Sequence, residues 1–149
     1  MLDAEIEIVT ALLEAREPGT VLEWGAGGST VYWPLRFSDA SWTAVENDMG
    51  WVKKVSETAP DNVTLLYRTA PDYWELPDVA GPFDMVLVDG RHRVKCVKRS
   101  KGLLASGGFV LLHDAVRPRY KPAWDVYPNS KWLHDGRPRR NHKGLVMFW

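Results

Sequence analysis

The sequence predicts an α/β fold, with one doubly wound, mostly parallel sheet of seven strands and helices on both faces. Short apolar strands alternate with helical segments along the chain, which favours right-handed crossovers between parallel strands. The chain has 149 residues, of which 45% are hydrophobic and 26% are charged, a composition typical of a globular protein. We therefore expect a single domain over residues 1–149, with an N-terminal helix within 1–18 and a core over 19–149.

The first half of the chain is predicted to contain three strands, each preceded by a helix. Apolar residues at Ile6, Val9 and Leu13 have helical spacing, and Pro18-Gly19 ends that helix. Asp48 is a suitable N-cap for a later helix. In order, we predict a helix over 2–16, a strand over 20–24, a helix over 29–37, a strand over 41–46, a helix from residue 48 to 55 and a strand over 62–68.

The second half is predicted to add four strands and a basic helix. Pro71 and Pro77 allow only a short helix within residues 70–81, and Gly107-Gly108 is predicted to form a turn. In order, we predict a strand over 83–88, a basic amphipathic helix over 94–104, a strand over 109–112, a proline-interrupted segment over 118–128, and strands over 131–133 and 144–149.

Residues that follow the strands are candidate site residues, because parallel sheets bind ligands at the carboxyl ends of their strands. The loop Gly25-Ala26-Gly27 follows the first strand, and its glycines let the backbone approach a ligand closely. Glu46 ends the second strand, where a carboxylate can accept hydrogen bonds from ribose hydroxyls. Glu23 lies two residues before the first glycine, where a carboxylate can receive an ammonium group. A tight turn without a ligand is the alternative interpretation of the loop.

Four segments resemble the class I S-adenosylmethionine-dependent methyltransferases, and the match extends over residues 21–149. Residues 21–29 (VLEWGAGGS) are similar to that family's acidic-x-Gly-x-Gly loop, and Glu46 stands at its ribose-binding acidic position. Residues 83–90 (FDMVLVDG) resemble its fourth strand, and residues 103–114 (LLASGGFVLLHD) resemble its segment of helix, turn and fifth strand. The resemblance implies a Rossmann-like fold, S-adenosylmethionine as the cofactor, and a final hairpin whose last strand is antiparallel.

The residues expected to bind this cofactor lie at the ends of the first four strands. By the resemblance, residues 25–27 line the methionine part and residues 69–70 lie near the adenine. The predicted cofactor-binding residues are Glu23, Gly25, Ala26, Gly27, Ser29, Glu46, Asn47, Thr69, Ala70 and Asp89.

Asp89 and His92 follow the fourth strand and are predicted to lie over the reactive end of the cofactor. An imidazole titrates near neutral pH, so His92 is the predicted general base, with Asp89 as a polar anchor that stabilises positive charge. Alternatively, His92 is an exposed residue at the start of the next helix. The predicted acceptor-binding residues are Arg91, His113, Asp114 and Arg117.

A metal site is considered at the ends of the fourth and fifth strands. Asp89 and Asp114 are predicted to converge there, as acidic ligands do in the metal-dependent O-methyltransferases of the catechol type. Carboxylate oxygens suit Mg²⁺, but Ala115 stands where those enzymes carry a third Asn or Asp ligand. The sequence therefore favours a site without Mg²⁺, and Asp89 and Asp114 are the two candidate ligands if a metal binds.

The formal net charge of zero hides a division of charge along the chain. Residues 1–90 carry 16 acidic and 5 basic side chains, whereas residues 91–149 carry 3 acidic and 14 basic ones. Basic residues near the strand ends favour a small anionic acceptor. Nucleic-acid binding through the same basic part, with Tyr120, Trp124 and Trp132 as stacking side chains, is a less favoured alternative. Residues 139–140 are predicted to lie at the tip of a basic hairpin.

Several protein classes are excluded by the sequence. The single Cys96 excludes an internal disulfide and a Cys-rich zinc site. The chain lacks an apolar run of the ~20 residues needed to cross a bilayer, and its acidic N-terminus is unlike a signal peptide, so we expect a cytoplasmic protein without a membrane partner. A nicotinamide-binding domain is disfavoured because its third glycine would fall at Thr30. Neither a P-loop nor a Gly-x-Ser-x-Gly elbow is present.

The sequence thus predicts an enzyme that transfers a methyl group from S-adenosylmethionine to an oxygen or nitrogen nucleophile of a small acceptor. Transfer is expected to be direct and in-line, with catalysis mainly by positioning. A non-catalytic S-adenosylmethionine-binding module and a nucleic-acid-binding or nucleic-acid-modifying protein remain alternatives. A homo-oligomer is a further expectation, because a second subunit would complete the acceptor site.

Overall fold

The structure is a computed structural model, and it describes residues 1–135 and 144–149. The predicted basic hairpin tip at residues 139–140 lies outside the described residues. The elements in order are α1 (Asp3–Arg16), β1 (Thr20–Trp24), α2 (Gly28–Arg36), β2 (Ser41–Glu46), α3 (Met49–Ser56), β3 (Val63–Tyr67), α4 (Asp72–Glu75), β4 (Phe83–Val88), α5 (Arg93–Ser100), β5 (Leu104–His113), a 3-10 helix (Pro118–Ala123), β6 (Ser130–His134) and β7 (Leu145–Phe148).

The seven strands form one sheet in the order β3-β2-β1-β4-β5-β7-β6. Strands β1 to β5 are parallel to their neighbours, whereas β7 is antiparallel to both β5 and β6. The chain builds the sheet outward from β1 to β3, then crosses back to β4 and continues in the other direction. This topology confirms the predicted doubly wound sheet and its antiparallel C-terminal strand.

Helices cover both faces of the sheet, as predicted. Side chains of a strand alternate between its faces, so Val21 of β1 packs in one core cluster and its neighbour Leu22 packs in the other. Val9 of α1 and Trp33 of α2 join the cluster of Val21, and Cys96 of α5 joins that of Leu22. In the described part of the chain, none of the helices is long and apolar enough to cross a membrane.

The predicted turn at Gly107-Gly108 is wrong. These glycines lie inside β5, which begins at Leu104. The preceding helix, α5, ends at Ser100 rather than at the predicted residue 104. The pairing of β4 with β5 shifts register between Phe83 and Met85, and Gly107 has a φ of +79°. A Cβ atom on Gly108 would lie 2.9 Å from the Asp84 carbonyl oxygen. The glycine pair thus permits an irregularity within a strand, which the dipeptide alone does not distinguish from a turn.

Candidate active site

A cleft of about 480 Å³ opens at the carboxyl ends of β1, β2 and β4, where the strand order reverses. Ligands of open α/β sheets bind at this position, and the volume is within the range of roughly 300–1,000 Å³ found for small-molecule sites. The cleft is lined by Met1, Ile6, Gly25, Ala26, Gly27, Gly28, Ser29, Tyr32, Trp33, Glu46 and Asp89. A second cavity of about 550 Å³ opens near Gly19 and Ala40, at the amino ends of β1 and β2, where this rule expects no ligand.

The loop after β1 approaches the end of β4 at a distance that only glycine allows. Gly25 has a φ of +98°, and a Cβ atom on it would lie 2.4 Å from the Cα atom of Gly90. The loop is held on two sides, because the Gly27 N–H donates to Thr30 Oγ1 at 2.8 Å and Trp51 Nε1 donates to the Ala26 carbonyl at 2.7 Å. Its backbone is therefore fixed in place at the floor of the cleft, as the sequence predicts.

Glu23 lies beneath this loop and is fully buried. Its carboxylate accepts hydrogen bonds from Thr30 Oγ1 at 2.8 Å, from Trp42 Nε1 at 2.9 Å and from the Ser29 hydroxyl. Burial raises the pKa of Glu23 to about 7, although these three donors oppose the shift. Glu23 and Ser29 thus stabilise the start of α2 from inside. This differs from the expectation that Glu23 receives an ammonium group, because its carboxylate has no exposed surface.

Glu46 occupies the predicted place at the end of β2, on the wall of the cleft. Its Oε1 atom accepts the N–H groups of Asn47 at 2.7 Å and Asp48 at 2.9 Å, so the side chain is fixed. Among the described residues, none donates a hydrogen bond to Oε2. Thr69 and Ala70 are exposed at the end of β3, at the same edge of the sheet but outside the lining of the cleft.

A buried chain of ion pairs lies beside Asp89. His113 is 3% exposed, and its Nδ1 atom lies 2.6 Å from Asp89 Oδ1 while its Nε2 atom lies 3.1 Å from Glu5 Oε2. Burial lowers the pKa of His113, but the hydrogen bonds with Asp89 and Glu5 outweigh burial, and the pKa is raised overall. Both ring nitrogens face carboxylates, an arrangement that favours the protonated ring. The predicted acceptor contact of His113 is wrong, because the side chain is buried and both ring nitrogens are engaged inside the protein.

Arg93 joins this chain to the end of β5. Its guanidinium lies 3.0 Å from Asp89 Oδ1 and 3.3 Å from Asp114 Oδ2, and it also donates to the carbonyl oxygens of Gly90 at 2.8 Å and Asp89 at 2.6 Å. Arg117 pairs with the same Asp114 oxygen at 2.8 Å. Asp114 is 4% exposed, so it holds two arginines rather than an acceptor, which corrects its predicted role. We call Glu5, His113, Asp89, Arg93 and Asp114 the ion network.

The residues present do not fit a metal ion. Asp89 and Asp114 converge as predicted, but the guanidinium of Arg93 pairs with both of them and that of Arg117 pairs with Asp114. A cation bound to the same two carboxylates would be repelled by Arg93. Within residues 1–135 and 144–149, no group of three or more His, Cys, Asp or Glu side chains is arranged to hold a metal.

His92 lies outside the cleft. It precedes α5 with a φ of +52°, it is exposed, and its ring packs 4.7 Å from the ring of Trp74. His92 lines a separate depression of about 560 Å³, together with Arg91, Arg117 and other residues. Asp89 and His92, which are predicted to act together, thus line two different cavities, the first lined by Asp89 and the second by the next residue, Gly90.

Glu5 and Arg93 were not predicted as site residues from the sequence. Glu5 is 108 residues from His113 in the chain, and it lies in an ordinary helical pattern that carries no signal for this contact. Arg93 follows Asp89 by four residues, a spacing that is a readable signal for an ion pair at the start of a helix.

The ion network predicts a pH dependence of stability. The pKa of His113 is raised from 6.5 in the folded protein. The contribution of His113 to the free energy of unfolding is therefore complete below pH 6.5 and is lost as the pH rises through the pKa of the folded state. Burial raises the pKa of Glu5, but the hydrogen bonds with His113 and with the Leu2 N–H lower it by more, so the pKa is below 4.5 overall. The Glu5 contribution is therefore present above pH 4.5 and lost in acid.

We expect the free energy of unfolding, measured with urea between pH 5 and pH 9, to decline above pH 6.5. His113→Gln removes the titrating group, so this decline is expected to disappear in the variant. An NMR titration of the His113 ring in the unmodified protein gives the pKa directly. A measured value at or below 6.5 would contradict the double ion pair.

Solved structures of methyltransferases share the fold of this chain. An O-methyltransferase from Bacillus cereus in complex with SAH has a TM-score of 0.78 and 17% identity, over 99% of this chain and 80% of that one. A precorrin-6y C5,15-methyltransferase from Geobacter metallireducens has a TM-score of 0.71 and 16% identity, over 97% and 87% of the two chains. A 16S rRNA methyltransferase from T. thermophilus in complex with AdoMet and guanosine has a TM-score of 0.70 and 18% identity, over 99% of this chain and 43% of that one.

No protein-family model matches the chain, and no curated protein sequence matches it. At these identities the structural likeness establishes the fold. The names of the three proteins specify different acceptors, so the fold alone does not select one. The chain has the Rossmann-like fold of the class I S-adenosylmethionine-dependent methyltransferases, which confirms at the level of the fold the resemblance found in the sequence.

Proposed function

We propose that this chain transfers a methyl group from S-adenosylmethionine to an oxygen or nitrogen nucleophile of a small anionic acceptor. The observation that carries the proposal is the cleft at the reversal of strand order, which combines a rigid glycine loop with Glu46 and Asp89. The fold is that of methyltransferases, and the cationic residues of the depression lined by His92 supply a surface for an anion.

The residues of the cleft fit the proposed cofactor. Glu46 is held by two backbone N–H groups through Oε1, which leaves Oε2 to accept ribose hydroxyls. The backbone of residues 25–27 would bind the methionine part, and Trp51 keeps the loop in place through its bond to Ala26. When bound, S-adenosylmethionine supplies a methyl group on a positively charged sulfur. Asp89, whose side chain is 24% exposed, is an acceptor for positive charge or an N–H group in the cleft.

The proposed acceptor binds beside Gly90, which follows Asp89 of the cleft and lines the depression that contains His92. Arg91 and Arg117 line the depression. Arg117 is paired with Asp114, so Arg91 would hold the anionic group and orient the nucleophile toward the cleft. His92 is exposed on the same lining, so it is the proposed general base that takes the proton from the nucleophile. Positioning of the two reactants supplies most of the rate enhancement, as is general for in-line group transfer.

The test is a calorimetric titration followed by an assay of turnover. We expect S-adenosylmethionine and S-adenosylhomocysteine to bind one per chain, and NAD to show no binding. Incubation with a panel of phosphorylated and carboxylated phenols and amines is expected to release S-adenosylhomocysteine. His92→Ala is expected to keep the cofactor affinity and to lower turnover roughly 10²–10⁴-fold. Binding without release over the whole panel favours a non-catalytic module, and absence of binding refutes the proposal.

A further inference from the structure

The depression beside the cleft has an unusual charge. Its volume is about 560 Å³, and it is lined by Gly90, Arg91, His92, Arg93, Val94, Lys95, Arg117, Arg119 and Tyr120. Four arginines and a lysine are among these residues, and an acidic side chain is not. We call this surface the cationic depression. It is formed by the loop after β4, the first turn of α5 and the start of the 3-10 helix.

Two of the five cations are neutralised inside the protein. Arg93 pairs with Asp89 and Asp114, and Arg117 pairs with Asp114. In the part of the chain that the structure describes, Arg91, Lys95 and Arg119 form no ion pair with an acidic side chain. These three side chains are exposed, so the depression carries a surplus of about three positive charges although the formal net charge of the chain is zero.

The surplus charges are placed by ordered neighbours. The guanidinium of Arg119 lies 5.0 Å from the ring of Tyr120, and the ammonium of Lys95 lies 3.7 Å from the ring of Trp74. The main-chain N–H of Arg91 donates to Tyr73 Oη at 3.2 Å. The ring contacts restrict the side chains of Arg119 and Lys95, whereas the hydrogen bond of Arg91 fixes its backbone, and restriction lowers the entropy cost of binding an anion.

Main-chain donors add to the cations. Helix α5 starts at Arg93, and the first N–H groups of a helix have no acceptor within the helix. His92 is the N-cap, and its side chain does not accept from them. The Lys95 N–H donates to the His92 carbonyl oxygen at 2.8 Å, which leaves the N–H groups of Arg93 and Val94 as open donors. These two residues and the positive end of the helix dipole lie at the same depression as the three surplus cations.

We propose that the cationic depression binds the phosphate monoester group of the acceptor, an inference that rests on the proposed function. A phosphate monoester carries a charge near −2 and three acceptor oxygens, which matches several cations and N–H donors at once. A carboxylate has one charge and two oxygens, and one arginine satisfies it in a bidentate pair. The acceptor is thus a small phosphorylated molecule whose nucleophile reaches the adjacent cleft.

The cleft and the cationic depression are lined by consecutive residues of the chain. Asp89 lines the cleft and the next residue, Gly90, lines the depression. Gly90 contacts the glycine loop so closely that a Cβ atom on it would lie 2.9 Å from the Cα of Gly25. Consecutive residues of the chain thus line the two cavities, so we expect a small molecule with its phosphate in the depression to present its nucleophile toward the cleft.

Calorimetric titration with phenyl phosphate and with inorganic phosphate tests the site without any cofactor. We expect Arg91→Ala and Arg119→Ala each to weaken the binding of both probes about tenfold, because each removes a charged donor. Lys98→Ala is the matched control, since Lys98 is exposed on α5 but does not line the depression. We expect this variant to bind both probes as tightly as the unmodified protein. Benzoate is expected to bind more weakly than phenyl phosphate.

Three results would overturn the inference. They are no binding of phenyl phosphate, an equal loss of affinity for phenyl phosphate in Arg91→Ala and Lys98→Ala, and tighter binding of benzoate than of phenyl phosphate. A single-stranded RNA oligomer, whose phosphates are diesters, is the comparison for a nucleic-acid source. If RNA binds more tightly than phenyl phosphate and Arg91→Ala weakens it, the monoester assignment is wrong. A separate titration with S-adenosylmethionine distinguishes failure of this inference from failure of the proposed function, because the cofactor binds in the cleft and not in the depression.

Discussion

Arg93→Met is expected to lower the free energy of unfolding by about 3–5 kcal/mol, because breaking a buried ion pair leaves uncompensated charge. The side chain of Arg93 is 9% exposed, and its guanidinium pairs with Asp89 and Asp114. Asp114 Oδ1 is buried and already lacks a hydrogen-bond partner among the described residues, so loss of Arg93 leaves this carboxylate with Arg117 as its remaining partner. Methionine has a similar length, and the packing of the stem is largely kept.

Urea unfolding at pH 7, followed by tryptophan fluorescence, measures this change. Lys98→Met is the control on the exposed side of the same helix, and we expect it to change the free energy by less than about 0.5 kcal/mol. Combining Arg93→Met with Asp114→Asn removes one of the stranded charges and is expected to recover part of the loss. A loss below about 1 kcal/mol for Arg93→Met would contradict the assignment of the ion network.

Glu46→Ala is expected to weaken the binding of S-adenosylmethionine by about 10–100-fold, the range for losing hydrogen bonds to a charged group. Glu46 Oε1 accepts two backbone N–H groups and fixes the side chain on the wall of the cleft. The proposed ribose contact is then made by Oε2. Glu46→Gln keeps one oxygen acceptor but loses the charge, so its affinity is expected to lie between those of the unmodified protein and Glu46→Ala.

Adenosine and 2′,3′-dideoxyadenosine separate the ribose contact from a local structural change. Glu46→Ala is expected to weaken the binding of adenosine and to leave the weaker binding of the dideoxy compound unchanged. Glu57→Ala, at an exposed position after α3, is the control for removal of one acidic charge. Unchanged affinity for S-adenosylmethionine in Glu46→Ala would refute the ribose assignment.

Local pattern was enough to place most strands and the glycine loop. The predicted strands 20–24, 41–46 and 83–88 agree with β1, β2 and β4 at both ends, because each is an apolar run bounded by glycine, proline or polar residues. Asp48 caps α3 as predicted, accepting the Trp51 N–H at 2.9 Å. The position of Glu46 on the cleft follows as well, since parallel strands bring their carboxyl ends to one edge.

The direction of each side chain at that edge was decided by tertiary structure alone. His92 and His113 both follow or end strands in the sequence, yet His92 is exposed beside Trp74 and His113 is enclosed by Glu5 and Asp89. The contact with Glu5 joins α1 to the end of β5, and no local pattern encodes it. Sequence by itself determined the order of the elements, the sheet edge at which the cleft opens and the division of charge. Which partners each carboxylate meets depends on packing between distant elements, because a buried charge is stable only where a partner from elsewhere in the fold meets it.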